Sequence, residues 1–203
     1  MKILLTIFLI LFCSLAWADT VTYYFDGYNV GEAWVTSPGN LVDGDTGTRA
    51  TSGFNEIQLN DSNTGPGTDL GTITTVEVRA FWDDAFGILG GKLRPVFSGG
   101  DGDDHTLSPQ TTSWSDYIDI TSDTNAPGTW SWTNVQDLDI DFEAVGTGVW
   151  GYKIEIRVTY TTGNVTVTPS ALPITVAVLA PTIVVPVLPT KIQGATLQGA
   201  TIN

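Results

Sequence analysis

The chain has 203 residues, with 22 Asp and Glu against 8 Lys and Arg, for a formal net charge of −14. A surface this acidic is repelled by phosphate backbones, which argues against nucleic acid as a partner. The length suffices for one domain with a sizeable core plus an appendage.

Lys2 precedes an apolar run over residues 3–15, and Ala16-Trp17-Ala18 offers small residues at the two positions a signal peptidase reads. The pattern predicts a signal peptide over residues 1–18, a mature chain starting at Asp19 and a secreted, extracellular protein. The run is too short to span a bilayer comfortably. Cys13 follows Phe12, where lipoprotein processing needs a small residue, so lipidation is not expected. Cys13 is also the only cysteine. Once the leader is removed, neither a disulfide nor thiol chemistry is open to the chain.

Residues 21–25 (VTYYF) read as a first strand and residues 30–36 as a second, with Gly27 and Asn29 in the turn between them. Ser37-Pro38-Gly39-Asn40 breaks the pattern. A short strand follows over residues 56–59, then a polar loop over residues 60–69. Residues 72–82 alternate cleanly, with Val76, Val78, Ala80 and Trp82 on one face. Residues 93–98 continue the sheet, an acidic loop (GGDGDDHT) intervenes, and residues 113–120 make a further strand. Leu138, Ile140 and Phe142 then alternate with Asp137, Asp139, Asp141 and Glu143. Beyond Gly146 and Gly148, read as a hairpin loop, Tyr152, Ile154, Ile156, Val158 and Tyr160 share a face opposite Lys153, Glu155, Arg157 and Thr159. No segment sustains a helical period. Many short strands with Gly-rich turns predict an all-β fold, a jelly-roll-type antiparallel β-sandwich over residues 19–162.

Residues 163–203 carry Thr, Val and Pro but little charge. Pro169, Pro173, Pro181, Pro186 and Pro189 disfavour a continuous helix, which argues against a membrane span. The reading is an extended Pro/Val/Thr-rich C-terminal tail. Left exposed it would be an aggregation hazard, so it is expected to pack against, or add a strand to, a neighbouring subunit.

The segment LVDGDTGTRAT, residues 41–51, resembles the "DGD..T" loop of discoidin-type and galactose-binding-like modules, and DLGTITTVEVRAF, residues 69–81, resembles their "DLG" strand start. The second half, through VWGYKIEIRVTYT, is similar to jelly-roll domains of uncharacterised phage and bacterial surface proteins. Two departures stand out: Arg49-Ala50 replaces the Trp such domains carry after the Thr, and their bridging cysteines are missing. The resemblance implies a structural Ca²⁺ at Asp43, Asp45 and Thr48. The same residues also read as an ordinary Asp-Gly turn whose carboxylates cap backbone N–H groups.

Flat indole rings stack on sugars, and Trp130, Trp132 and Trp114 are the candidate ligand-binding residues for a glycan or cell-surface polymer. Trp130 and Trp132 are expected on one strand face, and Trp82 in the core. Asp137, Asp139, Asp141 and Glu143 form an acidic ladder on an exposed strand face, with Lys153 and Arg157 expected to neutralise it across the hairpin. Carboxylates on one face cannot flank a glycosidic bond. His105, the only histidine, is expected to be an exposed loop residue; it lacks a G-x-S-x-G motif or a second metal-binding His. These readings predict no catalysis. They predict a non-catalytic surface or appendage protein assembling through its tail, or alternatively a lectin-like carbohydrate-binding module.

Overall fold

The structure is a computed structural model, and it describes residues 17–84, 90–146 and 148–163. Most of the predicted leader and nearly all of the predicted tail lie outside these residues. The larger sheet is built around β5 (Thr72–Asp84), β12 (Val149–Thr161) and β1 (Ala18–Gly27), which lie side by side in that order. Short strands complete it: β10 (Ile118–Asp119) and β9 (Ser113–Trp114) on β5, β2 (Ala50–Thr51) on β12 and β4 (Ser62–Asn63) on β1. The smaller sheet has the order β3 (Ile57–Asn60), β11 (Asp139–Val145), β6 (Gly90–Phe97), β7 (Gly100–Asp101), with β8 (His105–Leu107) also on β6. Every pairing is antiparallel. The described residues therefore form an all-β, jelly-roll-type sandwich, as the alternation predicts. No helix among them is long and apolar enough to cross a membrane.

The two sheets meet over the apolar rows. Val76, Val78, Ala80 and Trp82 of β5 and Ile154, Ile156 and Val158 of β12 are fully buried, facing Leu138 and the Ile140 and Phe142 side chains of β11. Phe142 joins the layers: its ring lies 4.9 Å from Trp34 and 6.3 Å from Trp82. Aromatic pairs close the ends, Phe97 with Trp130 at 5.9 Å and Trp132 with Tyr160 at 5.2 Å.

Several expectations are corrected by this arrangement. Residues 30–36 are not a strand: Val30 and Val35 are 86% and 68% exposed, and the segment's strand-like pairing is the isolated bridge Thr36–Thr51. Asn29 turns the chain instead, its Oδ1 accepting the Gly31 N–H and its carbonyl the Glu32 N–H. Trp34 alone of this run is buried, its Nε1 donating to the Phe142 carbonyl at 3.2 Å. Residues 113–120 form two short strands rather than one. Between them the Ser115 N–H reaches the Ala80 carbonyl, so the segment still covers the β5 edge.

Gly146 and Gly148 do not close a hairpin either. β11 lies in the smaller sheet and β12 in the larger, so this connection crosses from one layer to the other. Tyr152 leaves the inner row because a bulge between Gly151 and Lys153 shifts the register, and its ring lies 5.4 Å from Phe81.

Trp130 and Trp132 do not share a strand face. Trp132 begins the helix α1 (Trp132–Gln136), which no periodicity announced because it is one turn long. Its start is a capping box: Ser131 Oγ accepts the Asn134 N–H at 3.2 Å, and Asn134 Oδ1 accepts the Ser131 N–H at 2.9 Å.

Candidate functional site

The loop of Asp43, Asp45 and Thr48 turns on its own side chains. Asp43 Oδ1 accepts the Asp45 N–H and Asp45 Oδ1 the Gly47 N–H, each at 2.8 Å, while the Thr48 hydroxyl donates to Asp43 Oδ2. Gly44, at φ 77°, sits over the Tyr24 ring, where a Cβ would come within 2.8 Å. Both carboxylates thus serve the turn itself. Among the described residues no three His, Cys, Asp or Glu side chains are grouped to hold a metal ion.

The candidate ligand-binding tryptophans are engaged within the fold. Trp130 and Trp132 are 9% and 6% exposed; their Nε1 atoms donate to the Thr121 carbonyl at 2.9 Å and the Gly71 carbonyl at 2.7 Å. They border a groove of about 350 Å³ with Asp69, Thr129 and Ser131, where the chain leaves the sheet at Gly163. Trp114 is half-buried, and the Arg79 guanidinium lies 3.9 Å above its ring.

That contact belongs to a lattice over the outer face of the larger sheet. Arg79 also lies 4.3 Å from the Tyr117 ring and donates to Glu155 at 2.7 Å. Arg157 lies 3.6 Å over the same Tyr117 and donates to Glu77 at 2.7 Å. Lys153 joins Glu155 at 3.2 Å beside Tyr24, and Phe81 links Tyr152 to Trp114. Antiparallel register produces this pattern: Glu155 lies opposite Arg79 and Arg157 opposite Glu77. The alternating charges of residues 72–82 and 149–161 carried the signal, but the sequence reading assigned Lys153 and Arg157 to the acidic ladder.

The ladder finds its cations elsewhere, because its neighbour is β6. Asp141 lies opposite Arg94 and accepts from its Nη2 at 2.5 Å; Glu143 lies opposite Lys92 at 3.2 Å. Nor is the face wholly exposed: Asp141 is buried. Burial holds its carboxyl above the ordinary carboxylate range, and the Arg94 hydrogen bond pulls back against that shift. Asp139, half-buried near Asp61, Asp137 and Asp141, is pushed up to about 6 by desolvation and then by those like charges.

Folding raises the proton affinity of Asp139. Its folded pKa exceeds the unfolded value, so the folded state holds the extra proton between about pH 4 and 6, and stability falls as pH rises through that window. Asp139→Asn is therefore expected to stabilise the fold at pH 7, by about 1 kcal/mol after allowing for solvent screening. The gain should vanish below pH 4, as read by urea melts at the two pH values.

His105 is not an exposed loop residue: it sits on β8, partly buried, with Nε2 2.7 Å from Asp123 Oδ2. Nearby, Asp103 accepts from both the Thr124 hydroxyl and N–H, which lowers its pKa. These contacts tie the acidic loop of residues 100–107 to residues 123–125. The sequence reading also missed Gln58 and Asn60, polar residues on the fully buried face of β3. Gln58 Nε2 donates to the Pro38 carbonyl at 3.1 Å and Asn60 Nδ2 to the Ile140 carbonyl at 3.1 Å, so the pair fixes the loop carrying Trp34. The sequence reading ends the strand at Leu59 and places Asn60 in the polar loop, whereas the strand runs through Asn60.

The chain enters and leaves the sandwich side by side. Ala18 pairs with Thr161 and Asp19 with Tyr160, so the start of β1 and the end of β12 lie at one end of the larger sheet. Comparison with protein-family models, with curated proteins and with solved structures returns no match.

Proposed function

We propose that this protein is a non-catalytic, secreted surface or appendage component, whose sandwich is displayed and whose C-terminal tail anchors or assembles it. The observation that carries the reading is the placement of β12. The strand that leads into the tail is the middle one of the three long strands, hydrogen-bonded to β5 from Val149 to Thr161 and to β1 from Glu155 to Thr161. Antiparallel hydrogen bonds run across the strands, so a load between the tail and the far loops is shared by two ladders at once. The outer lattice of Arg79, Arg157, Glu77 and Glu155 ties β5 to β12 across their outer face. This arrangement supports the reading of a tethered module.

Removal of residues 164–203 tests the reading. The chain from Asp19 to Asn203 is expected to form multimers in light scattering, and the shortened chain single copies. An unchanged subunit count would reduce the tail to a linker and end the proposal.

A further inference from the structure

Among the described residues, the β1 edge of the larger sheet is open. β1 is paired with β12 along residues 18–24, but on its other side β4 meets only Phe25 and Gly27. The direction of the free groups follows from Tyr24, whose N–H donates to Thr64 Oγ1 and whose carbonyl accepts the Thr64 N–H, away from β12. Backbone groups alternate along a strand, so those of Thr22 and Thr20 also point outward. Both residues are exposed. The Thr20 N–H is held at 2.8 Å by the carboxylate of Asp19 beside it, and among the described residues nothing is hydrogen-bonded to the outward groups of Thr22.

Two other edges, those of β3 and β5, are covered. β3 is capped by the loop before it, through the Asn29 N–H to Leu59 and the Leu59 N–H to Glu32. β5 is covered by β9, β10 and the bonds of Ser115 and Ile120. An uncovered edge on a long strand, in a sheet whose opposite edge is protected, marks a place for strand addition.

We propose that residues 19–23 of β1 receive residues 174–180 of a second copy's tail as an added antiparallel strand. This rests on the reading of the tail as an assembly element and names the surface it engages. Proline cannot join a ladder on its N–H side. Between Pro173 and Pro181 the sequence ITVAVLA offers an uncharged, β-favouring run long enough to span the open stretch, whereas Pro181 and Pro186 leave only TIVV between them. In that run Ile174, Val176 and Val178 share one face, which would extend the apolar row of Val21 and Tyr23 that β1 turns toward the core. The tail from Gly163 to Ile174 can reach roughly 35 Å when extended, enough to arrive at a neighbour. The chain's own tail, turning back from the end of β12, would lie parallel to β1 and make the weaker ladder.

The test uses the chain from Asp19 to Asn203 with Thr22→Pro, Val176→Pro or the conservative Val176→Thr, read by light scattering and amide hydrogen exchange. Thr22→Pro removes an N–H that β12 does not use, and Val176→Pro leaves the sandwich untouched. Both proline variants are expected to run as single copies, with Val176→Thr still assembled. The Thr22 amide is expected to be protected in the assembled chain and to exchange freely in Val176→Pro. Should Thr22→Pro misfold by circular dichroism, Val176→Pro and the exchange data decide. If Val176→Pro keeps the starting mass while removal of residues 164–203 abolishes assembly, the tail assembles through another surface and this edge is wrong. A starting chain that is a single copy yet protects Thr22 would place its own tail there, which overturns the proposal. If the chain lacking residues 164–203 keeps its mass, the reading beneath it falls as well.

Discussion

Phe142→Ala is expected to cost about 3–5 kcal/mol of stability. Its ring is fully buried in the smaller sheet and touches both Trp34 and Trp82. Removing it takes away apolar burial and two aromatic contacts together. It also leaves a cavity that cannot collapse, because β11 is pinned on both sides, by β3 and by β6. The loop of residues 30–36 should loosen too, since Trp34 rests on that ring and its Nε1 donates to the Phe142 carbonyl. Phe142→Leu fills much of the volume and is expected to cost less than half as much. Denaturant melts followed by tryptophan emission read both effects, and an alanine variant within about 1 kcal/mol of the starting protein would mean the two sheets do not close over this ring.

The alternation that exposed the strands also identified the core, because period two and burial are the same fact seen twice. Val76 to Trp82 and Ile154 to Val158 are buried where the pattern puts them. What it could not carry is which strand lies beside which. Residues 138–143 and 152–160 are separated by few residues and look like a hairpin, yet Gly146 and Gly148 pass the chain between sheets. That one difference reassigns every cross-strand charge: Arg94 and Lys92, distant in sequence, face Asp141 and Glu143, while Lys153 and Arg157 face β5. The bulge at Gly151–Lys153 moves Tyr152 to the outer face by the same logic, since one inserted residue reverses the phase. Gln58 and Asn60 were invisible for a different reason. An isolated amide favours water, and only the loop that uses their hydrogen bonds, closed by Trp34 and Pro38, makes an inward amide favourable. The Asp43 loop and Trp114 were legible as residues, but Asp45, Thr48 and Arg79, which occupy their oxygens and ring face, are set by local turn geometry and tertiary register.

Arg94→Ala is expected to destabilise the protein by about 2–3 kcal/mol at pH 7. The arginine gives Asp141 two hydrogen bonds, from Nε at 3.2 Å and Nη2 at 2.5 Å, and its Nη1 lies 3.3 Å from Asp101. Cutting it back leaves a buried carboxylate unpaired, with Asp101 and Glu32 still adding negative potential. Burial already raises the Asp141 pKa, and losing Arg94 raises it further. The deficit should therefore be full at pH values above that raised folded pKa. It should shrink as Asp141 takes up a proton on acidification, and be least below about pH 4, where the unfolded carboxyl is protonated too. Asp141→Asn in the Arg94→Ala background removes the stranded charge and is expected to recover most of the loss at pH 7, which makes the double variant more stable than the arginine single. If the two substitutions simply add, Asp141 is paid for by solvent rather than by Arg94, and the β6–β11 ion pair contributes little to holding the smaller sheet together.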